Sequence, residues 1–219
     1  ACSYGRSGES LSSIIESNLN FGIQILETAV AHNVKTFINT DTLLPKDVNA
    51  YSLSKAQFAD WLKFSSKDIQ VINMRMEHMY GPKDDKNKFI PWLINKMISD
   101  KDAIELTSGV QKRNFIYIED ILLAYNLVIQ ESNNLKNYND FDVASNHLIE
   151  VRYFVREIAK EIETRKGMDI QDRLNFGAKE YRENDIMQPE FDNEAIRELG
   201  WKPSVDYRQG INYTLNYYL

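Results

Sequence analysis

The stretch from Val34 to Lys55, VKTFINTDTLLPKDVNAYSLSK, leaves few folds open to this chain. Val34 to Asn39 is β-branched and aromatic, the composition of a buried strand, and the hydroxyl and acid groups of Thr40, Asp41 and Thr42 follow at its carboxyl end. Open α/β sheets bind their ligands just beyond that end. After Pro45 and a polar connection, Leu53, Phe58, Trp61 and Leu62 mark the apolar positions of a helix that starts near Tyr51. Tyr51 and Lys55 are one turn apart and share a helix face. An ammonium beside a phenol favours phenolate and draws a weak acid (ordinary pKa ~10) towards working pH, which makes Tyr51 a candidate proton donor or acceptor.

The rest of the chain reads as alternating helices and strands. Ile15, Leu19, Ile23, Leu26 and Val30 have helical spacing, with Ser10 or Ser12 as amino cap. Ile69 to Arg75 and Asp140 to Ser145 read as strands. Phe89 to Ile98, Ile121 to Gln130 and Val151 to Ile162 read as helices, with Asp120 capping or bracing the second. A helix from Glu194 ends at Gly200, with Pro203 just beyond. The chain has 219 residues, 43% of them apolar, enough for a substantial core. A net charge of -6 argues against a nucleic-acid surface. Cys2 is the sole cysteine, so no disulfide within the chain and no cysteine-based metal site are expected. No apolar run approaches the ~20 residues of a membrane helix, and no secretory signal opens the sequence, so a cytoplasmic location is expected.

Several passages together resemble the extended short-chain dehydrogenase/reductases, the nucleotide-sugar epimerases, dehydratases and 4-keto reductases. Arg75-Met-Glu-His-Met-Tyr-Gly-Pro82 is similar to that family's Arg-x-x-Asn-Val-Tyr-Gly-Pro, and Gln111-Lys-Arg-Asn-Phe-Ile-Tyr-Ile-Glu-Asp120 to its Gln-x-Arg-Asp-Phe-Ile-Tyr-Ile-Asp-Asp. Tyr181-Arg-Glu-Asn-Asp185 resembles its Arg-x-Gly-Asp turn, and Leu199-Gly-Trp-Lys-Pro203 its closing Leu-Gly-Trp-x-Pro. The resemblance implies an α/β fold: a Rossmann-type doubly wound parallel sheet with a smaller mixed α/β substrate lobe. Residues 1–75 and 108–143 would form the nicotinamide-binding domain, and 76–107 and 144–219 the substrate lobe.

It also implies the site. Tyr51, Lys55 and a hydroxyl closing the fifth strand form the catalytic group. Counting from Phe37 places Thr42 in the hydroxyl position, with Thr40 the alternative if the register slips. NAD or NADP would meet Tyr51, Lys55, Thr40 and Asn18, whose role would be to steady the active-site strand. A nucleotide-diphosphate sugar would meet His78, Arg113 and Arg182, the two arginines clamping the diphosphate. No metal is implied. Pairing through the helices near Ser10 and Tyr51 implies a homodimer.

Two features narrow the expectation. The glycine-rich strand-turn-helix that holds a dinucleotide pyrophosphate is absent from the sequence, and Gly5-Arg-Ser-Gly8 reads as an active-site loop instead. The chain is therefore read as a carboxyl-terminal piece, a chain whose front is not represented, or one that has lost its cofactor site. Leu43-Leu44 stands where a 4,6-dehydratase carries an Asp-Glu pair, which leaves a 4-keto reductase or a 4-epimerase. The short step from Thr42 to Tyr51 looks most like the CDP-abequose and CDP-paratose synthase branch. The alternative is a non-catalytic sugar-nucleotide or dinucleotide sensor, or a partner-binding fragment, on the same scaffold.

Overall fold

The computed structural model describes residues 2–5 and 8–219, so Arg6 and Ser7 of the expected active-site loop lie outside the described residues. In chain order, α1 (Leu11–Ile15) passes through a π-helical turn (Glu16–Asn20) into α2 (Phe21–Ala31), followed by β1 (Thr36–Thr42), α3 (Ala50–Ser65) and β2 (Gln70–Met76). Next come β3 (His78–Tyr80), α4 (Phe89–Ser99), β4 (Ile104–Leu106), β5 (Lys112–Arg113), β6 (Phe115–Tyr117) and α5 (Ile118–Gln130). Beyond β7 (Tyr138–Val143) lie β8 (Ile149–Glu150), α6 (Val151–Lys166), β9 (Leu174–Phe176), α7 (Glu194–Glu198) and α8 (Tyr207–Tyr218).

The chain forms two compact units. The first holds Ala1–Glu77, Ala124–Ala144 and Glu190–Trp201, and the second His78–Leu123, Ser145–Pro189 and Lys202–Leu219. This differs from the expected division at residues 108–123 and 190–201. Residues 108–123 fall in the second unit because β5 pairs antiparallel with β8, and β6 pairs parallel with β3. Residues 190–201 return to the first because Asp192 N–H donates to the Asp142 carboxylate (2.8 Å) and the Asn193 amide to the Ala144 carbonyl (2.6 Å).

In the first unit β1, β2 and β7 make a parallel sheet in that order. Phe37, Val71 and Tyr138 are in register across it and pack with Phe58 and Leu62 of α3 and Leu26 of α2. The opposite face of β1 meets α5, where the Thr40 and Tyr125 hydroxyls lie 2.5 Å apart. Helices on both faces are the doubly wound arrangement. Strand β1 runs past Asn39 because its ladder with β2 continues to Thr42 opposite Met76. The three polar residues at its end are thus fixed in a strand, not left in a loop. Asn49 starts α3 with a reciprocal cap: Ser52 N–H donates to the Asn49 side chain (2.9 Å) and Asn49 N–H to the Ser52 hydroxyl (3.2 Å). Such a cap is worth ~1 kcal/mol and sets where the first helical turn, carrying Tyr51, begins.

The second unit is built on aromatic packing. The rings of Phe115 and Phe154 stack at 3.8 Å, Tyr80 meets Phe154 edge-on at 5.1 Å, and Leu93, Met97, Ile158 and Ile162 are buried around them. Asp120 sits inside the first turn of α5 and does not cap it. Its carboxylate accepts from Ser204 N–H and the Ser204 hydroxyl (both 2.8 Å) and from Val205 N–H (3.1 Å), bracing the approach to α8.

Candidate active site

Strand β1 and helix α3 run in opposite directions, and three pairs bring them together. Phe58 meets Phe37 edge-on (6.4 Å), Lys55 Nζ donates to the Thr40 carbonyl (2.6 Å), and the Tyr51 phenol has the Thr42 hydroxyl as its hydrogen-bonding neighbour. Tyr51, Lys55 and Phe58 follow one helix stripe, so the apolar contact at one end sets the polar contacts at the other. Thr42, not Thr40, is therefore the hydroxyl beside the phenol. The Thr40 hydroxyl is taken by Tyr125 on the far face.

Lys55 departs from its expected part. Burial pushes the Tyr51 phenol well above its ordinary range, with Cys2, Tyr4 and Asp41 adding to the rise and the Thr42 hydroxyl opposing it. Lys55 is 8% exposed, and its ammonium donates to a backbone carbonyl. Desolvation of phenolate outweighs any help from Lys55, so Tyr51 holds its proton.

Asn18 lies in the π-helical turn, where the Phe21 N–H reaches back five residues to the Glu16 carbonyl. Such turns often mark functional sites. Its amide donates to the Ser3 carbonyl (2.8 Å) and the Ser54 hydroxyl (2.9 Å), and its oxygen accepts from Ser3 N–H (2.7 Å). Ser54 in turn donates to the Tyr51 carbonyl (2.8 Å). This corrects the expectation for Asn18. Both of its amide hydrogens are spent on protein, leaving no donor for a cofactor, and what it steadies is residues 2–5 and α3, not β1. Sequence reasoning missed the result of that staple: the Tyr4 ring lies 4.9 Å from the Tyr51 ring, tilted by 38°. Tyr4 lies ahead of the first helix and carries no periodic signal that would have found it.

In the second unit Arg113 is 8% exposed and largely committed to protein. Nη2 pairs with Asp185 (2.6 Å), while Nη1 donates to the carbonyls of Lys112 (2.7 Å) and Ile186. It is not the open fork expected. Nε and one Nη2 hydrogen remain for an anion. Arg182 is exposed at the start of the turn that Asp185 closes, so Arg113 grips the loop that presents Arg182. His78 opens β3, in register with Phe115 and edge-on to its ring at 5.7 Å.

At the carboxyl end of β1 a phenol, a hydroxyl and an ammonium with spare N–H groups stand together, a set that fits the ribose and carboxamide end of a nicotinamide nucleotide. No glycine-rich turn from a strand into a helix occurs among the described residues, so they include no pyrophosphate cradle. No helix among them is long and apolar enough to cross a membrane.

A parallel, doubly wound sheet with these groups at its carboxyl edge defines a Rossmann-type oxidoreductase scaffold. The chain belongs to the NAD dependent epimerase/dehydratase family, whose sequence profile matches residues 1–144, and it is an NAD-dependent enzyme of that family. It is 30% identical to CDP-abequose synthase of Salmonella typhimurium, over 98% of this chain and 73% of that protein. It is 29% identical to mouse dTDP-D-glucose 4,6-dehydratase, over 81% of this chain and 50% of that protein. The solved structure of dTDP-glucose 4,6-dehydratase from Streptomyces venezuelae, with NAD bound, superposes on all of this chain and 71% of its own, with a TM-score of 0.82 at 19% identity. That likeness establishes the fold.

Proposed function

We propose that this chain is a nucleotide-sugar 4-keto reductase, or a 4-epimerase working through the same ketone, with Tyr51 as the proton-transfer group. The observation that carries the reading is the Thr42 hydroxyl beside the Tyr51 phenol, one turn from the buried Lys55. Bound NADH or NADPH would supply hydride to the C4 carbonyl carbon. Tyr51 would give its proton to the C4 oxygen as the C=O becomes CH–OH, and the phenolate left behind would be reprotonated from solvent. Thr42 would hold that oxygen, and Lys55, anchored to Thr40, would turn its spare N–H groups to the nicotinamide ribose. A buried phenol that keeps its proton is in the state ketone reduction needs, which supports the reductase over the epimerase. The 28% identity with a dTDP-4-dehydro-6-deoxyglucose reductase of Escherichia coli, over 80% of this chain and 54% of that protein, supports the same choice. Leu43 and Leu44 offer no acid-base pair for a dehydratase.

Within the second unit, Arg182 and the remaining N–H groups of Arg113 would hold the substrate diphosphate, and His78 would contact the sugar nucleotide. A cytoplasmic location, where nucleotide sugars and nicotinamide nucleotides are made, belongs to the same proposal. So does a homodimer through α1, α2 and α3, which expose Leu11, Ile15, Phe21, Ile25, Trp61 and Phe64. Light scattering at micromolar concentration is expected to give twice the chain mass, and a monomer would rule the dimer out.

The decisive experiment is Tyr51→Phe in the complete enzyme, assayed with a 4-keto nucleotide sugar and reduced nicotinamide. Loss of the transferable proton is expected to lower kcat by ~100- to 10,000-fold with substrate affinity kept. Retention of most of the turnover would sink the mechanism.

A further inference from the structure

Asp41 is a buried acid that the proposed chemistry does not use. It is 7% exposed, on the face of β1 that α3 covers, between Thr40, whose carbonyl holds Lys55, and Thr42, which meets Tyr51. Its carboxylate accepts from Thr42 N–H (2.8 Å) on one oxygen and from the Asn73 amide (3.0 Å) on the other. Burial raises the Asp41 carboxyl above its ordinary range, and the Asn73 amide, Lys55, the Thr42 N–H and Arg75 draw it back towards the ionised form without offsetting that rise. Asn73 is itself fixed from both sides: it accepts from Asn39 (2.7 Å) and donates to Asp140 (2.8 Å), each its register partner across the sheet. A polar row crosses all three strands and ends on Asp41.

Titratable groups face this acid from α3, β2 and β7: Lys55 and Tyr51, Arg75, and Tyr138. Lys55 of α3 and Arg75 of β2, its register partner, face it with positive charge, and Arg75 is already paired with Asp142 of β7 (2.6 Å). The groups facing the Tyr51 phenol are Cys2 and Tyr4 from the amino-terminal segment and Asp41 and Thr42 from β1, while Lys55 follows one turn along its own helix. Lys55 is thus the cation nearest in sequence to Tyr51, and Asp41 is an anion that faces both of them.

We propose that Asp41 is a positioning residue: it balances the charge of Lys55 and fixes the Thr42 backbone, so that Tyr51 is kept as a proton donor and the site is biased towards ketone reduction. The proposal rests on Tyr51 being the proton-transfer group. Without the carboxylate one of the groups that push the phenol up is gone and phenolate would form more readily, with burial, Cys2 and Tyr4 still opposing it. Phenolate is the species needed for the reverse reaction, oxidation of the C4 alcohol, whose rate climbs with pH as phenolate accumulates.

The test is Asp41→Asn in the complete enzyme, with the pH profile of alcohol oxidation by oxidised nicotinamide as the first readout. The rising limb is expected to move to lower pH by about one unit, which is about tenfold faster oxidation at a fixed pH on that limb. Asp140→Asn, which disturbs the same polar row without facing the phenol, is expected to leave the limb in place. A second readout needs no turnover: ultraviolet titration of tyrosinate, taken as the difference from a Tyr51→Phe background, should show the same downward shift. Asp41→Ser, which keeps an acceptor for Thr42 N–H, is held to the same outcome where Asp41→Asn does not fold. A limb and a titration that stay put, or move up, in a folded Asp41 variant overturn the proposal. Turnover surviving in Tyr51→Phe overturns the reading beneath it instead, and the titration still measures the effect of Asp41 on the phenol.

Discussion

The two units treat their buried cations in opposite ways. In the second, Arg113 is paired directly with Asp185 and roofed by two carbonyls, beside a core of stacked and edge-on aromatic rings. In the first, Lys55 has a carbonyl as its bonded partner, with Asp41 facing it and turned to other donors. Burying charge that is not fully paired costs stability, and a fold tolerates it where the charge has another use. Arg113 is spent mostly on architecture. Lys55 keeps capacity for a ligand.

The contrast can be broken most sharply at Arg113. Arg113→Ala leaves Asp185 without its cation and the 182–187 turn without its anchor, and is expected to cost ~3 kcal/mol, read as a lower urea midpoint. A loss near zero would mean that Arg113 is a ligand first and a brace second. A smaller effect is expected at Asn18. Asn18→Ala removes three hydrogen bonds and should lower stability by ~2 kcal/mol, while freeing the Tyr4 ring from Tyr51. Unchanged hydrogen exchange at Tyr4 and Gly5 in that variant would show that the staple is not what orders the segment.

The smallest effect concerns pH. Burial raises the carboxyl of Asp142 above the ordinary carboxylate range, against Asp192 N–H and Arg75, which lower it. A carboxyl whose folded value is raised binds its proton more tightly folded than unfolded. Its contribution therefore favours the folded state in acid and is lost as pH rises through the carboxylate range to the raised folded value. Asp142→Asn should gain on the wild type by a few tenths of a kcal/mol between about pH 4 and neutrality, compared by urea midpoints. A gain in the opposite direction would mean that the Arg75 pair outweighs burial, and would make the first unit resemble the second.

Much of the fold was legible in the sequence because its signals are local. Helix periodicity marked α2, α3 and α6, and β-branched runs marked β1 and β2 to within a few residues. The division of the chain was less so, because residues 108–123 and 190–201 take their places from strand pairing and from bonds to Asp142 and Ala144, contacts far away in sequence. Within the site, the Tyr51 and Lys55 spacing was readable, and the Thr42 hydroxyl lies beside the phenol. The partners of Asn18 and Arg113 were not, since a side chain's hydrogen bonds are decided by what the fold brings within 3 Å of it.

By itself the sequence determined that a strand ending in hydroxyls and an acid precedes a helix presenting a phenol and an ammonium on one face, and that the connections allow a parallel α/β sheet. Those are properties of spacing, and spacing survives without coordinates. Only the tertiary structure decided the protonation state of Tyr51, because that depends on how far water is excluded and on which charges face the ring. The ammonium one turn away argues for phenolate, whereas burial, followed by Cys2, Tyr4 and Asp41, pushes the phenol up.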